Sequence, residues 1–146
     1  MTTTTMTMPM TASSTTTPAF PGGVSGAPRV MLRLEGAAML VGAAALYAHL
    51  GAGWGLFFAL FLAPDLSFFG YLAGPRVGAI AYNAMHGYAL PALLAALSFV
   101  ALPGALPIAL IWAAHVGFDR MLGYGLKYGT AFGHTHLGVV GKTAKG

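Results

Sequence analysis

Cysteine is absent from the 146 residues, and acidic residues number only three. Without thiols, disulfides and thiolate chemistry are excluded, and redox places no limit on the compartment. Charged residues of both signs make up 7% of the chain, against ~25% in a soluble domain. Hydrophobic residues make up 57%. That balance excludes a water-exposed globule and indicates an integral membrane protein with room for one domain. The seven basic residues give a formal net charge of +4. They are scattered rather than clustered with aromatic residues, which excludes a nucleic-acid-binding surface. A nucleophile elbow, a phosphate loop, HExxH and a dinucleotide fingerprint are all missing. Carboxylate-pair catalysis would rest on Asp65 and Asp119 alone.

What is present is long apolar sequence. Residues 1–28 form a Thr/Ser/Pro/Gly tail with no charge before Arg29. The tail lacks the basic and apolar regions of a signal peptide and is expected to be disordered. Initiation near Met31 is the alternative to a genuine tail. From Gly36 to Pro64 there are 29 residues without a formal charge, more than the ~20 that one crossing needs. The Gly51–Gly55 stretch suggests a turn, with Trp54 as an interfacial anchor. Val77 to Phe118 is a second uncharged run, of 42 residues, divided by Pro103, Gly104 and Pro107. The fold expected is an all-α four-helix transmembrane bundle, with helices at about 30–50, 54–73, 77–101 and 105–125 within a membrane domain 29–128. Residues 129–146 read as a polar, solvated tail. The alternative is that His134-Thr135-His136 folds back as extra ligands or as a lid. With four helices, every basic residue falls on the side of both termini. The positive-inside rule then places the N- and C-termini in the cytoplasm. Ala38/Gly42 and Gly70/Gly74 have the small-xxx-small spacing of close helix contacts.

The stretch His115–Arg120 closes the last apolar segment. His115 and Asp119 are four apart and share a helix face. Ionisable side chains inside a membrane are costly and turn toward protein or water. At ~1.5 Å per residue, Asp65 is roughly 12 Å and His86 roughly 13 Å from the inner ends of their helices. Glu35, Asn83, His115 and Asp119 lie in the same inner half. Two imidazoles and three carboxylates at one depth could bind a divalent metal such as zinc. His86, His115, Asp119 and Asp65 are the candidate ligands. Asp65 and Glu35 are the candidate acid–base groups, and Asn83 and His136 support them. Pro64 and Pro91 free the carbonyls of Leu60 and Gly87. Bland readings stand beside these. Glu35 with Arg33, and Asp119 with Arg120, would be interfacial ion pairs, and each histidine a hydrogen-bonded packing residue. His49 reads as an interface residue at the outer end of helix 1.

Several pieces together resemble a known family. Arg33-Leu34-Glu35, Ala63-Pro64-Asp65-Leu66-Ser67 with Gly70-Tyr71-Leu72, Gly78 with Tyr82-Asn83 and His86, and Ala114-His115 with Asp119-Arg120 are similar to the bacterial membrane family DUF4260. So are Gly123–Tyr128 and Thr135-His136-Leu137-Gly138. The resemblance covers about residues 30–141. It implies a small multi-pass protein of the bacterial inner membrane and no stated activity, and it favours His136 over His134. A looser likeness links Pro64-Asp65 and the membrane histidines to metal-dependent-hydrolase-like membrane proteins. Three functions are therefore expected to compete. One is a metal-dependent hydrolase acting on an amphiphilic substrate. The second is a small transporter or proton-relay subunit, and the third a non-catalytic structural membrane protein.

Overall fold

The computed structural model describes residues 22–141. The chain is mostly helical: α1 Gly26–His49, α2 Trp54–Phe61, a 3-10 helix Ala63–Ala73, α3 Pro75–Met85, α4 Ala89–Val100 and α5 Leu106–Leu122. A short hairpin follows, β1 His134–Thr135 antiparallel to β2 Gly138–Val139. Three stretches are long and apolar enough to cross a membrane: Gly26–His49, Trp54–Ala73 and Pro75–Val100. The fourth helix, α5, has 17 residues, at the lower edge of what a crossing needs.

α5 is the axis of the bundle. α1, α2 and α4 all pack on it, while the 3-10 helix packs on α3. Eight α5 residues are buried, from Ala109 to Arg120, against three in α1. The outer surface is as apolar as the interior: Phe58, Ile80 and Phe99 are 71%, 71% and 76% exposed. That is the expected pattern for helices solvated by lipid, where packing rather than hydrophobicity selects the inner face. A small core of Ala43, Tyr47, Phe57, Ile111 and Ala114 fills the end away from the basic residues. There the Tyr47 hydroxyl donates to the Gly53 carbonyl at 2.8 Å, bracing the turn that carries Trp54.

The two middle helices are broken where prolines predict trouble, though the breaks go further than a freed carbonyl. Helix 2 changes from α to 3-10 winding at Ala63 and keeps it for 11 residues. Pro64 has no N–H, and the Asp65 N–H bonds to Leu62 rather than to Phe61, so the tighter spacing starts at the proline. Helix 3 is not continuous from 77 to 101. It stops at Met85 and resumes at Ala89. The Pro91 ring would collide with the carbonyl four residues back, at Gly87, and the intervening turn opens. His86 is the residue at the break, with φ −107° and ψ 16°.

The polar C-terminal stretch is not a solvated loop. Gly123 ends α5 in the left-handed region at φ 96°, and the Tyr124 N–H bonds back to the Asp119 carbonyl at 2.8 Å. Glycine is the residue that makes this stop without strain. The chain then folds over the end of the bundle, burying Thr135 and Leu137. Asn83 holds it there twice: its side-chain amide donates to the Lys127 carbonyl at 2.8 Å and accepts the Lys127 N–H at 2.6 Å. Part of the expected N-terminal tail is also structured. α1 starts at Gly26, and the Val24 N–H donates to the His136 carbonyl at 2.8 Å. Residues 1–21 and 142–146 of the two tails lie outside the described residues.

The close helix contacts are not all where the small-xxx-small spacings suggest. A side chain at Gly42 or Gly74 would meet open space. Gly36 and Gly117 instead face each other where α1 crosses α5, and Gly78 lies under the Tyr71 ring. Gly70 does make the expected contact, against Ala81 on α3.

Candidate metal centre

Both breaks deliver a side chain to α5. Asp65 follows the proline that starts the 3-10 helix, and His86 is the residue at which α3 stops. His115 waits on the central helix between them. His86 Nε2 is 3.1 Å from Asp65 Oδ1 and 3.2 Å from His115 Nε2. His115 Nε2 is 3.6 Å from Asp65 Oδ1. Asp119 Oδ2 stands 3.6 Å from His86 Nε2. His86 and His115 are 0% and 1% exposed, while the Asp65 side chain keeps 36% of its surface open. The cluster is thus sealed from the α5 side and reachable past Asp65.

The hydrogen bonds around the cluster fix its chemistry. His86 Nδ1 is 3.0 Å from the Tyr82 carbonyl; in the tautomer that donates there, Nε2 keeps a lone pair for a ligand. The Tyr82 ring lies flat on the His86 ring, 3.7 Å between centroids and 13° between planes. Its hydroxyl donates to Asp119 Oδ2 at 3.0 Å. His115 Nδ1 is buried and makes no hydrogen bond among the described residues. The result is two imidazole nitrogens and a carboxylate oxygen aimed at one point. Spacings this short are satisfied either by a cation among the three atoms or by an Nε2–H of His115 donating to its neighbours. Two ligands bound at ~2.0–2.1 Å to a tetrahedral zinc are about 3.3 Å apart, close to the spacings here. The His/His/Asp group could hold a metal ion.

The broken turn beside His86 leaves carbonyls to satisfy. The Trp112 indole donates to the Met85 carbonyl at 2.6 Å. Arg120 Nη2 donates to the His86 carbonyl at 2.8 Å and Nη1 to the Tyr124 carbonyl at 2.6 Å. Arg120 is therefore buried and structural, not the interfacial partner of Asp119, and Asp119 turns the other way to Tyr82 and His86. Lys127 covers the Tyr82 side. Its ammonium lies 3.5 Å from the Phe132 ring centroid and 4.8 Å from that of Tyr82. Burial pulls the Lys127 pKa down, and the Asp119 charge opposes that pull.

The remaining sequence candidates lie outside the cluster. Asn83 points at the Lys127 backbone. Glu35 is exposed on α1 and lines a separate cleft of about 410 Å³ with Tyr88, Arg120 and His136. Arg33 does not pair with Glu35; its Nε donates to the Met121 carbonyl at 2.8 Å. His49 is exposed at the far end of α1. Tyr82, Trp112, Arg120 and Lys127 were not assigned these contacts from sequence. Only Tyr82 carried a usable signal: it precedes His86 by four residues and so shares its face.

His136 Nδ1 accepts the Leu126 N–H at 2.7 Å. Burial pushes the His136 pKa below its ordinary value, and the Arg120 charge pushes in the same direction. The neutral ring is the folded form, so this contribution is complete above the unfolded pKa of ~6.5 and is lost as pH falls below it. Protonating Nδ1 turns the acceptor into a donor and breaks the bond. The Leu126 amide is expected to lose hydrogen-exchange protection between about pH 7 and about pH 5. In His136→Ala it should exchange fast throughout. Protection that stays level across that interval in the unmodified chain would remove His136 as the latch.

No curated protein and no solved structure matches the chain. A family model does, over residues 29–140, which include the break at Pro64, the break at His86 and the whole of α5. The chain belongs to that family, the domain of unknown function DUF4260.

Proposed function

We propose that this is a multi-pass protein of the bacterial inner membrane with both termini cytoplasmic. In this reading Asp65, His86 and His115 bind a divalent metal ion, zinc or similar, and Asp119 completes the donor set. The observation that carries it is the convergence of three potential ligand atoms, two of them on buried side chains, at spacings that suit one small cation. The basic residues support the orientation. Arg29 lies against Gly123 and Gly138, and Arg76 against Gly129, so the described cations gather at the end of the bundle that carries the hairpin.

The activity that fits best is hydrolysis of an amphiphilic substrate. An ion held by Asp65, His86 and His115 would supply Lewis acidity, activating water and polarising a substrate carbonyl or phosphoryl oxygen. Asp65, the most open of the ligating groups, is positioned to take a proton from an incoming water as well as to bind. Asp119, held by the Tyr82 hydroxyl, stands 3.6 Å from His86 Nε2, where it can serve as a further ligand. Burial of both imidazoles keeps bulk water away and strengthens every charge interaction in the site. Glu35 lies on another face and is assigned to its own cleft rather than to the reaction.

A second reading has its own observation. His115, His86 and Asp65 form an unbroken chain of close contacts that could relay a proton. Elemental analysis of detergent-purified protein separates the two. The hydrolytic reading expects about one divalent ion per chain and ester or phosphoester hydrolysis that chelation abolishes and zinc restores. Protein that carries no ion after growth in metal-replete medium, yet conducts protons in liposomes, belongs to the relay.

A further inference from the structure

The lipid-facing flank beside the cluster holds an apolar groove of about 210 Å³. Its walls include Leu60, Pro64, Met85, Ile108, Ile111 and Trp112. Each part of the cluster has a neighbour there. Pro64 precedes Asp65, Met85 precedes His86, and Ile111 is one turn before His115. No charged residue lines the groove, and its indole N–H is already spent on the Met85 carbonyl. Nothing in it would recognise a polar ligand. Ile108, on the groove's edge, is 43% exposed, so the groove opens to the outside of the bundle.

The direction of the groove is informative. Along α5, Ile111 and Ile108 lie roughly 6 and 10 Å beyond His115, away from the basic end. A membrane amphiphile has the same polarity, with its headgroup at the charged surface and its chain running inward. The volume suits roughly seven groups of water's size, at ~30 Å³ each.

We infer that this groove seats the acyl chain of the substrate and presents the bond next to the headgroup to Asp65, His86 and His115. The substrate class is then an acyl-chain lipid or lipid-like ester. The assignment rests on the reading of the cluster as a reaction centre, but the groove can be tested without activity. The chain has two tryptophans, so Trp54→Phe leaves Trp112 in the groove wall as the sole indole. A dibrominated fatty acid is titrated into that protein in micelles, and bound metal is measured on the same sample. Saturable quenching of Trp112 is expected, competed by the unbrominated fatty acid. Ile108→Phe, which fills the groove from its edge, should weaken it about tenfold or more, the worth of a few lost methylene contacts. Quenching that rises in proportion to brominated lipid, without saturation and unaltered by Ile108→Phe, means ordinary boundary lipid and overturns the inference. If quenching only rises in proportion while the sample holds its ion, the groove falls and the metal reading stands. If quenching saturates and no ion is present, the chain seat stands and the hydrolytic reading falls.

Discussion

Replacing His86 with alanine is expected to reduce the divalent metal retained by the purified protein from about one equivalent per chain to background. His115→Ala should do the same. Coordination number sets the size of the effect. The cluster offers two buried nitrogens and one half-open carboxylate at 3.1–3.6 Å from one another. Removing either nitrogen leaves a site that water must complete. Tyr82→Phe tests the surroundings. It removes the donor 3.0 Å from Asp119 Oδ2 while keeping the ring stacked on His86, and a loss of 10–100-fold in metal affinity is typical of such outer partners. His49→Ala is the control, since His49 lies at the far end of α1. Metal content that survives both His86→Ala and His115→Ala, read by elemental analysis of protein stripped and reloaded with zinc, would dispose of the metal centre.

The second large effect belongs to the crossing of α1 and α5. A Cβ built on Gly36 would lie 2.5 Å from Arg120 Cβ, 2.7 Å from the Met121 nitrogen and 2.8 Å from the Gly117 oxygen. One built on Gly117 would lie 2.7 Å from the Leu40 nitrogen and 2.8 Å from the Gly36 oxygen. Most of these neighbours are backbone, which cannot step aside, so the helices themselves must part. Gly117→Ala is expected to cost ~1–3 kcal/mol or more, seen as a clear drop in the temperature of unfolding in detergent. Gly42→Ala, where a Cβ meets nothing within 4 Å, should be neutral or slightly stabilising, because alanine is the better helix former. Equal unfolding temperatures for the two variants would mean that α1 and α5 do not cross at Gly36 and Gly117. Gly117 also sits between His115 and Asp119, so parting the helices should loosen metal binding together with the fold.

The sequence makes some of this architecture readable and hides the rest. Uncharged runs and proline positions locate the helices because desolvating a charge is expensive wherever the helix faces. The same cost makes Asp65, His86, His115 and Asp119 conspicuous, and these four are the ones that the structure brings together. Rotation about each helix axis is hidden. Val41, Phe58 and Ile80 face outward while Ala43, Ala79 and Ala109 face inward, so apolar character does not separate the two faces in a chain surrounded by lipid. This is why Ala38 and Gly42 look as suitable for a helix contact as Gly36. It is also why Glu35, at the right depth, proves to be on a different face from the histidines. Local winding is hidden as well. Pro64 announces one lost hydrogen bond, whereas the 3-10 winding through Ala73 accompanies packing against α3. The C-terminal hairpin is invisible to composition because a Gly-rich polar stretch looks alike whether it is loose or pinned by Asn83 and His136.

Arg120 grips two carbonyls at once, that of His86 in the opened turn and that of Tyr124 at the root of the hairpin. One planar, rigid group therefore couples the His86 turn to the hairpin. A tug on the hairpin, from a partner or from protonation of its latch, is transmitted through a single side chain to the ring of His86. In the metal reading proposed above, ion affinity would then depend on how the hairpin is held.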